Sequence, residues 1–284
     1  MKPAAFTYHA PRSLDEALAL LAAHGDEGKL LAGGQSLVPA MNFRLARPAV
    51  LIDINRIAAL DFLAEEDGWL RIGALTRHLA FEQPVAAGPL GALLPRVARD
   101  VAHLPIRVRG TFAGSLAHAD PAAEWTLIAA TLGAEIVAQS TAGERTLAAD
   151  GFFRTAFTTA LRPDELITEV RLPLLGDAWR CGFTEFSRRK GDFALAMALA
   201  ALRLEGDRIA EARIGVGGAE HRPRRIEAAE QILVGETAGP EVLAEAGAAV
   251  AATLEPVEDI HASAEYRRDL AQVMTRRALE AALA

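Results

Sequence analysis

Two patterns of apolar residues meet at Pro173–Asp177, and the change between them constrains the fold more than any single motif. Before it, short apolar runs alternate with helical stretches. Lys29–Ala32, Val50–Ile54, Trp69–Ile72, Ile136-Val137 and Leu166–Leu172 read as strands. Ser13-Leu14-Asp15-Glu16 is a capping box, in which serine and glutamate satisfy each other's orphan backbone donors. Leu14, Leu18 and Leu21 form that helix's apolar stripe, and Gly25 its left-handed stop. A second helix is expected over Pro89–Val101, kinked or broken at Pro95. Asp120-Pro121 predicts an N-cap and a first-turn proline for a third, stopping at Gly133 after Leu132. After Asp177 the strands come first. Cys181-Phe183-Glu185 and Leu195-Met197-Leu199 alternate with period two, as half-buried strands do. Glu205-Gly206-Asp207 marks a hairpin whose return strand is Ile209–Val216. Ile226–Val234, Glu241–Thr253 and Ser263 to the end are helical. Strands first and helices last describe a separate α+β unit of ordinary domain size.

Composition removes several function classes. The net charge of -7 lacks the basic footprint that phosphate neutralisation on nucleic acid requires. The lone cysteine, Cys181, rules out a disulfide framework. It equally rules out an iron–sulfur cluster or cysteine zinc site built from this chain alone. No apolar run is long enough to span a bilayer, and Met1-Lys2-Pro3 does not open a signal peptide, so a cytoplasmic protein is expected.

Two glycine-bearing loops carry the chemistry. Ala32-Gly33-Gly34-Gln35-Ser36 lies between a strand and a short helix that Ser36 could cap, with Pro39 in its first turn. Adjacent glycines let backbone N–H groups approach an anion closely, and the helix start adds the positive end of its dipole. The alternative is a tight turn without a ligand. Thr111-Phe112-Ala113-Gly114-Ser115-Leu116-Ala117-His118-Ala119-Asp120 offers hydroxyls around a glycine, again suited to an anion. Together the loops could grip a pyrophosphate from two sides. Neither is a G-x-G-x-x-G fingerprint, and neither has the lysine of a P-loop. His103, His118 and Asp120 do not have metal-ligand spacing, and packing or helix capping accounts for them better. Arg188-Arg189-Lys190 ahead of Gly191-Asp192-Phe193 is a solvated loop, or a loop that offers Phe193 to a flat ring.

In order and spacing, six segments resemble the FAD-binding medium subunit of molybdenum hydroxylases, the family of the carbon monoxide dehydrogenase medium subunit and the xanthine dehydrogenase flavin domain. They are Ala32–Pro39 with Val50–Ile54, Arg109–Ser115, Ala119–Ala122, Arg189–Phe193 and Ser263–Arg268. The resemblance covers nearly the whole chain. It implies an α+β fold related to vanillyl-alcohol oxidase. Residues 1–175 would form the FAD-binding domain, with subdomains of about 1–57 and 58–175. Residues 176–284 would form a C-terminal domain of three strands and three helices. Lys29, Leu30, Leu31, Ala32, Gly33, Gly34, Gln35, Ser36 and Leu37 would wrap the FAD pyrophosphate, with Thr111, Gly114 and Ser115 on its other side. Glu124 stands where relatives usually carry an aspartate near the ribose or adenine end. Leu166 would lie near the isoalloxazine, Glu185 replaces a lysine near the flavin, and Phe193 a tyrosine over the ring. Ala113 replaces a glycine, and its methyl would crowd the phosphate.

The function implied is electron transfer. Electrons from the [2Fe-2S] clusters of a small partner subunit would pass through non-covalent FAD to oxygen, a quinone or a nicotinamide. The substrate would be oxidised at the molybdenum cofactor of a large molybdopterin subunit, in a heterotrimer that could dimerise. No side chain of this chain is then a general acid or base. Arg188-Arg189-Lys190 and the helix carrying Tyr266, Arg267 and Arg268 are candidate partner surfaces. Two rival readings are a self-sufficient flavin oxidoreductase and a non-catalytic assembly subunit that has lost its flavin. The second is favoured by Ala113 and Glu185.

Overall fold

A computed structural model describes residues 1–284. The chain opens with strand β1 (Thr7–His9), helix α1 (Leu14–His24), strand β2 (Gly28–Leu31), helix α2 (Leu37–Asn42) and strand β3 (Val50–Asp53). The three strands form a parallel sheet in the order β1-β3-β2. Ser13 caps α1 through its side chain, while the Glu16 carboxylate accepts from Arg12 N–H rather than Ser13 N–H. Gly25 ends the helix at φ +47°.

Strands β4 (Leu63–Glu66) and β5 (Trp69–Gly73) precede four helices: α3 (Gly88–Ala98), α4 (Leu104–Arg107), α5 (Phe112–His118) and α6 (Glu124–Leu132). Strands β6 (Glu135–Ser140), β7 (Gly143–Ala148), β8 (Phe153–Thr155), β9 (Thr158–Thr159) and β10 (Leu166–Pro173) follow. An antiparallel sheet of order β4-β5-β10-β6-β7 results, with β8 and β9 paired apart. Helix α3 runs through Pro95, whose ring is buried, and ends at Ala98, short of the expected Val101. The supposed Thr111–Ser115 loop is the start of α5. Asp120 does not cap α6: its carboxylate closes a local turn on Ala122 N–H, and the helix begins later, at Glu124. Gly133 stops it at φ +76°, as expected.

The remaining chain holds strands β11 (Trp179–Phe186), β12 (Ala196–Glu205), β13 (Arg208–Gly217) and β14 (Arg224–Arg225), then helices α7 (Glu227–Leu233), α8 (Pro240–Thr253) and α9 (Ala264–Leu283). Their sheet has four strands, not three, because Arg224-Arg225 adds a short edge. Gly206 turns the β12–β13 hairpin at φ +65°. Strand β12 is not half-buried. Ala196, Ala198, Ala200 and Leu202 pack into a core with α7, α8 and α9, whereas Met197, Leu199 and Ala201 pack into the larger core of the preceding residues. The period of two is real, but each face meets a different core.

The same alternation runs along β11. Thr184 donates its hydroxyl proton to Met274 C=O on α9, and a Cβ at Gly182 would run into the α9 backbone at Ala278 and Ala282. The odd residues of β11 therefore face away from α9, and Phe183 joins the first core.

Candidate functional site

A cleft of about 290 Å³ opens where β2 ends. It is lined by Leu31, Ala32, Gly33, Gly34, Gln35, Val38, Pro39, Asp53, Asn55 and Arg109. Gly33 lies directly on Arg109-Gly110: an added Cβ would sit 2.6 Å from Gly110 Cα and closer still to Arg109 C=O. No residue with a side chain permits that approach. Gly34 turns the chain at φ +71°, a left-handed torsion that glycine adopts without strain. Gln35 Nε2 donates to Gly33 C=O at 2.9 Å and holds the turn from within.

The floor of the cleft is a polar network contributed by β3 and the segment after β5. Asn55 Nδ2 donates to Ala32 C=O at 2.8 Å, and Asn55 N–H donates to Asp53 Oδ1. Arg77 donates through Nη2 to Asn55 Oδ1, and through Nη1 to Arg109 C=O. Tyr8 donates its hydroxyl to Asp53 Oδ2. Burial opposes the Asp53 charge, but the hydrogen bonds from Tyr8 and Asn55 prevail and hold its carboxyl below the usual range. Burial and the charge of Arg109 act the other way on Arg77 and lower it. Asp53, Asn55, Arg77 and Arg109 were not among the expected site residues. The Asp53-Ile54-Asn55 sequence at a strand end is the one local signal that points to them.

Thr111 and Gly114 lie together at the start of α5. The Thr111 hydroxyl, 2% exposed, accepts from Gly114 N–H at 3.0 Å and caps α5. A Cβ on Gly114 would fall 2.6 Å from that hydroxyl oxygen. Thr111 thus shapes the first turn of α5, and its hydroxyl, which accepts there, keeps its own proton to donate. Ala113 is 3% exposed and packs into the core. Ser36 precedes α2 but makes no side-chain cap. Lys29 and Ser36 are exposed; Leu30, Leu31, Ala32, Gln35, Leu37 and Ser115 are half-buried.

His78 supports this second segment. Its backbone N–H donates to Gly110 C=O at 3.0 Å, and its ring lies against Gly110 Cα. Nδ1 accepts from Trp125 Nε1 at 3.0 Å, and Trp125 packs on Phe81 and Phe112. Burial, aided by Arg107 and Arg77, lowers the His78 pKa to about 4. Between 6.5 and about 4 the unfolded chain therefore binds a proton that the folded ring refuses. Stability should fall as pH falls through that window. A melting-temperature titration checks this: the His78→Gln variant should show a flatter slope there, and parallel curves would exclude His78 as the cause.

The expected flavin-side residues divide. Leu166 is 1% exposed, with its side chain in the core. Phe193 is 74% exposed on the loop after β11. Gly191, at φ +84°, seats this loop on Ala102 and His103. A second cleft, of about 460 Å³, includes Arg99, His103, Arg107 and Lys190. Such exposure fits a ring that waits for a flat partner. Phe193→Ala should then shift the spectrum of a bound flavin with little change in melting temperature. A large loss of stability with an unaltered spectrum would assign Phe193 to the packing.

Glu124 and Glu185 come together. Burial first, then the mutual charge of nearby carboxylates, raises both well above the usual carboxylate range. Cys181 lies on the same face of β11, where burial outweighs Arg96 and Arg213 and pushes its thiol up to about 12. Such a thiol is a poor nucleophile at neutral pH. His118 packs on the Phe157 ring at 5.0 Å. Arg267 is not a surface residue: it is 4% exposed and bonds inward. Arg188, Arg189 and Lys190 are exposed, and no helix is long and apolar enough to cross a membrane.

Residues 4–175 match the family described as "FAD binding domain in molybdopterin dehydrogenase", and residues 182–282 match "CO dehydrogenase flavoprotein C-terminal domain". Among relatives, the chain is 41% identical over 284 residues to the 6-hydroxypseudooxynicotine dehydrogenase complex subunit alpha of Paenarthrobacter nicotinovorans, covering 100% of this chain and 96% of that protein. It is 36% identical to the carbon monoxide dehydrogenase medium chain of Hydrogenophaga pseudoflava, covering 100% and 99%. Among solved structures, carbon monoxide dehydrogenase from Hydrogenophaga pseudoflava superposes with a TM-score of 0.96 at 37% identity, over 100% of this chain and 99% of that one. Quinoline 2-oxidoreductase from Pseudomonas putida 86 does so with 0.92 at 38%, over 99% and 98%.

Proposed function

Because the chain belongs to the FAD-binding medium subunits of molybdenum hydroxylases, we propose that it holds one FAD without a covalent link and serves as the electron-transfer subunit of such a complex. The observation that carries this reading is the Gly33 contact on Arg109-Gly110, which gives the cleft a wall of bare backbone. Close backbone approach and left-handed glycine are what a phosphate cradle requires. Arg109 adds a cation at the rim. In this reading Lys29–Leu37 holds the pyrophosphate on one side, and Thr111, Gly114 and Ser115 hold it on the other. Residues 1–175 are the FAD domain, divided near residue 57, and residues 176–284 the C-terminal domain.

FAD supplies the step between one-electron and two-electron chemistry. The chain's own residues bind and orient it. Cys181 stands apart from any covalent linkage because its thiol stays protonated. Electrons must arrive from [2Fe-2S] clusters in a partner subunit, since a single cysteine cannot ligate a cluster. A large molybdopterin subunit completes the complex in the cytoplasm. The exposed Arg188-Arg189-Lys190 run is offered as part of a partner surface, and Arg267 is withdrawn from it.

The test has two parts. Acid or heat should release a yellow cofactor identical to FAD from the purified chain. Mixed anaerobically with candidate substrates, the FAD-loaded chain should keep its colour, and bleach only when a reduced [2Fe-2S] partner is added. Colourless protein that cannot be reconstituted would remove the FAD reading. Bleaching by a small organic substrate alone would make the chain a self-sufficient flavoenzyme.

A further inference from the structure

The two segments that frame the cleft come from distant parts of the chain, and one guanidinium spans the gap between them. Residues 76–78 run antiparallel to residues 110–112: His78 N–H donates to Gly110 C=O at 3.0 Å, Phe112 N–H donates to Thr76 C=O at 3.1 Å, and Arg77 pairs with Thr111. This pairing fixes the Arg77 backbone beside the start of α5. Its side chain then makes two bonds. Nη1 donates to Arg109 C=O, and Nη2 donates to Asn55 Oδ1 at 2.5 Å. Asn55 in turn donates through Nδ2 to Ala32 C=O at 2.8 Å. One chain of hydrogen bonds therefore links Ala32, Asn55, Arg77 and Arg109. The carbonyl at its far end is the atom that a Cβ on Gly33 would strike first. Arg77 thus holds in place the backbone group that packs on Gly33.

The half-buried guanidinium is not spent on an ion pair. Asp53 is occupied by Tyr8 and Asn55, and Asp61 acts on Arg77 only across space. Both groups that Arg77 bonds are uncharged and stand on separate elements. The planar fork of arginine suits this task, because its donors diverge at fixed angles. Lysine offers a single point of donation and cannot hold two acceptors in a set geometry. The other end of the bridge is equally fixed: Asn55 N–H and Nδ2 both meet Asp53 Oδ1, at the end of the middle strand of the parallel sheet. Spacing matters at such a cleft. A backbone N–H holds an anion only at about 2.7–3.2 Å, so a grip from two sides fails when the sides drift apart.

We propose that Arg77 is a positioning residue for FAD: by bridging Asn55 and Arg109 C=O it sets the distance between the Gly33-Gly34 turn and the start of α5, the two sides that grip the pyrophosphate. Arg77 is not among the residues that line the cleft. It acts through the backbone of Arg109 and, by way of Asn55, through that of Ala32. Because the bridge is internal to the protein, the cleft keeps its width without help from the ligand, and binding loses less to ordering. The inference rests on the FAD reading of the cleft, and adds to it a residue that belongs to neither glycine segment.

The experiment uses the full chain, stripped of FAD and titrated back with it. Flavin fluorescence gives the affinity, melting temperature the stability of the apo-protein, and phosphorus NMR at saturating FAD the surroundings of the pyrophosphate itself. Arg77→Lys keeps the charge and removes the fork. It should weaken FAD binding about tenfold and displace the phosphorus resonances, while the apo-protein melts within a few degrees of the wild type. Asn55→Ser breaks the same bridge from its other end, should displace the same resonances, and serves if the lysine variant folds poorly. The double variant should bind about as weakly as the weaker single one, because both act through one bridge. Phosphorus resonances unmoved in both variants would overturn the proposal, whatever the melting temperatures, and leave Arg77 a contact of the fold alone. Additive losses in the double variant would overturn it too. A wild-type chain that binds no FAD would instead remove the FAD reading, and this inference with it.

Discussion

Gly33→Val is expected to lower FAD affinity at least about 100-fold, equivalent to about 2.8 kcal/mol of binding free energy. The new side chain must push against Arg109 C=O and Gly110 Cα, which are backbone atoms that no rotamer change can move. The two walls of the cleft then part, and Arg109 leaves the rim with them. His78 and Trp125 anchor Gly110 from below, so the displacement falls on the first loop. Gly34→Val acts by a different route. Its Cβ meets the flexible tips of Leu31 and Val38, but the torsion of φ +71° costs roughly 1–2 kcal/mol for any residue with a side chain. Flavin fluorescence titrations of the apo-protein, with circular dichroism to check folding, measure both. Unchanged affinity in both variants would leave this segment a simple turn.

Arg267→Met should destabilise the C-terminal half by roughly 3–5 kcal/mol, the usual cost of breaking a buried charged network from one side. Nη1 donates to Leu195 C=O and to Gly218 C=O, each at 2.8 Å, and Nη2 donates to Asp259 Oδ2 at 2.7 Å. Methionine fills part of the space but leaves two buried carbonyls without a donor. Leu195 follows the Phe193 loop, so that loop should loosen as well. A melting temperature lower by roughly ten degrees is the expected reading, with faster tryptic cleavage at Arg188-Arg189-Lys190. A variant that melts within a degree or two of the wild type would show that water replaces the guanidinium.

Local signals in the sequence were legible where one residue decides the outcome. Ser13 and Ser263 cap their helices, Gly133 and Gly206 turn where they stand, and Gly33-Gly34 marks the cleft. What stayed hidden depends on distant partners. Thr111–Ser115 reads as a loop because glycine and hydroxyls suit loops, yet the Thr111 hydroxyl folds back as a cap and starts a helix. Asn55 and Arg77 join the cleft only because β2, β3 and the segment after β5 converge. Arg267 looks like one of a surface pair with Arg268, since nothing local reveals the carbonyls of Leu195 and Gly218 waiting inside. Ala113 and Glu185 read in the sequence as departures from a motif. Ala113 proves to be a packing residue, and Glu185 draws its character first from burial and then from Glu124, which stands 61 positions earlier on another element.

The double duty of β12 bears on how the chain is made. Met197, Leu199 and Ala201 complete the first core, but like Trp179, Phe183 and Ala194 they lie beyond the segment that supplies most of it. As the chain leaves the ribosome, the N-terminal core stays open on one side until β12 has emerged, and the aliphatic face of α6 at Leu127 stays bare with it. The two halves should therefore lock in a single concerted event near the end of synthesis. A product truncated at the linker would then be a client for chaperones, not a free-standing domain.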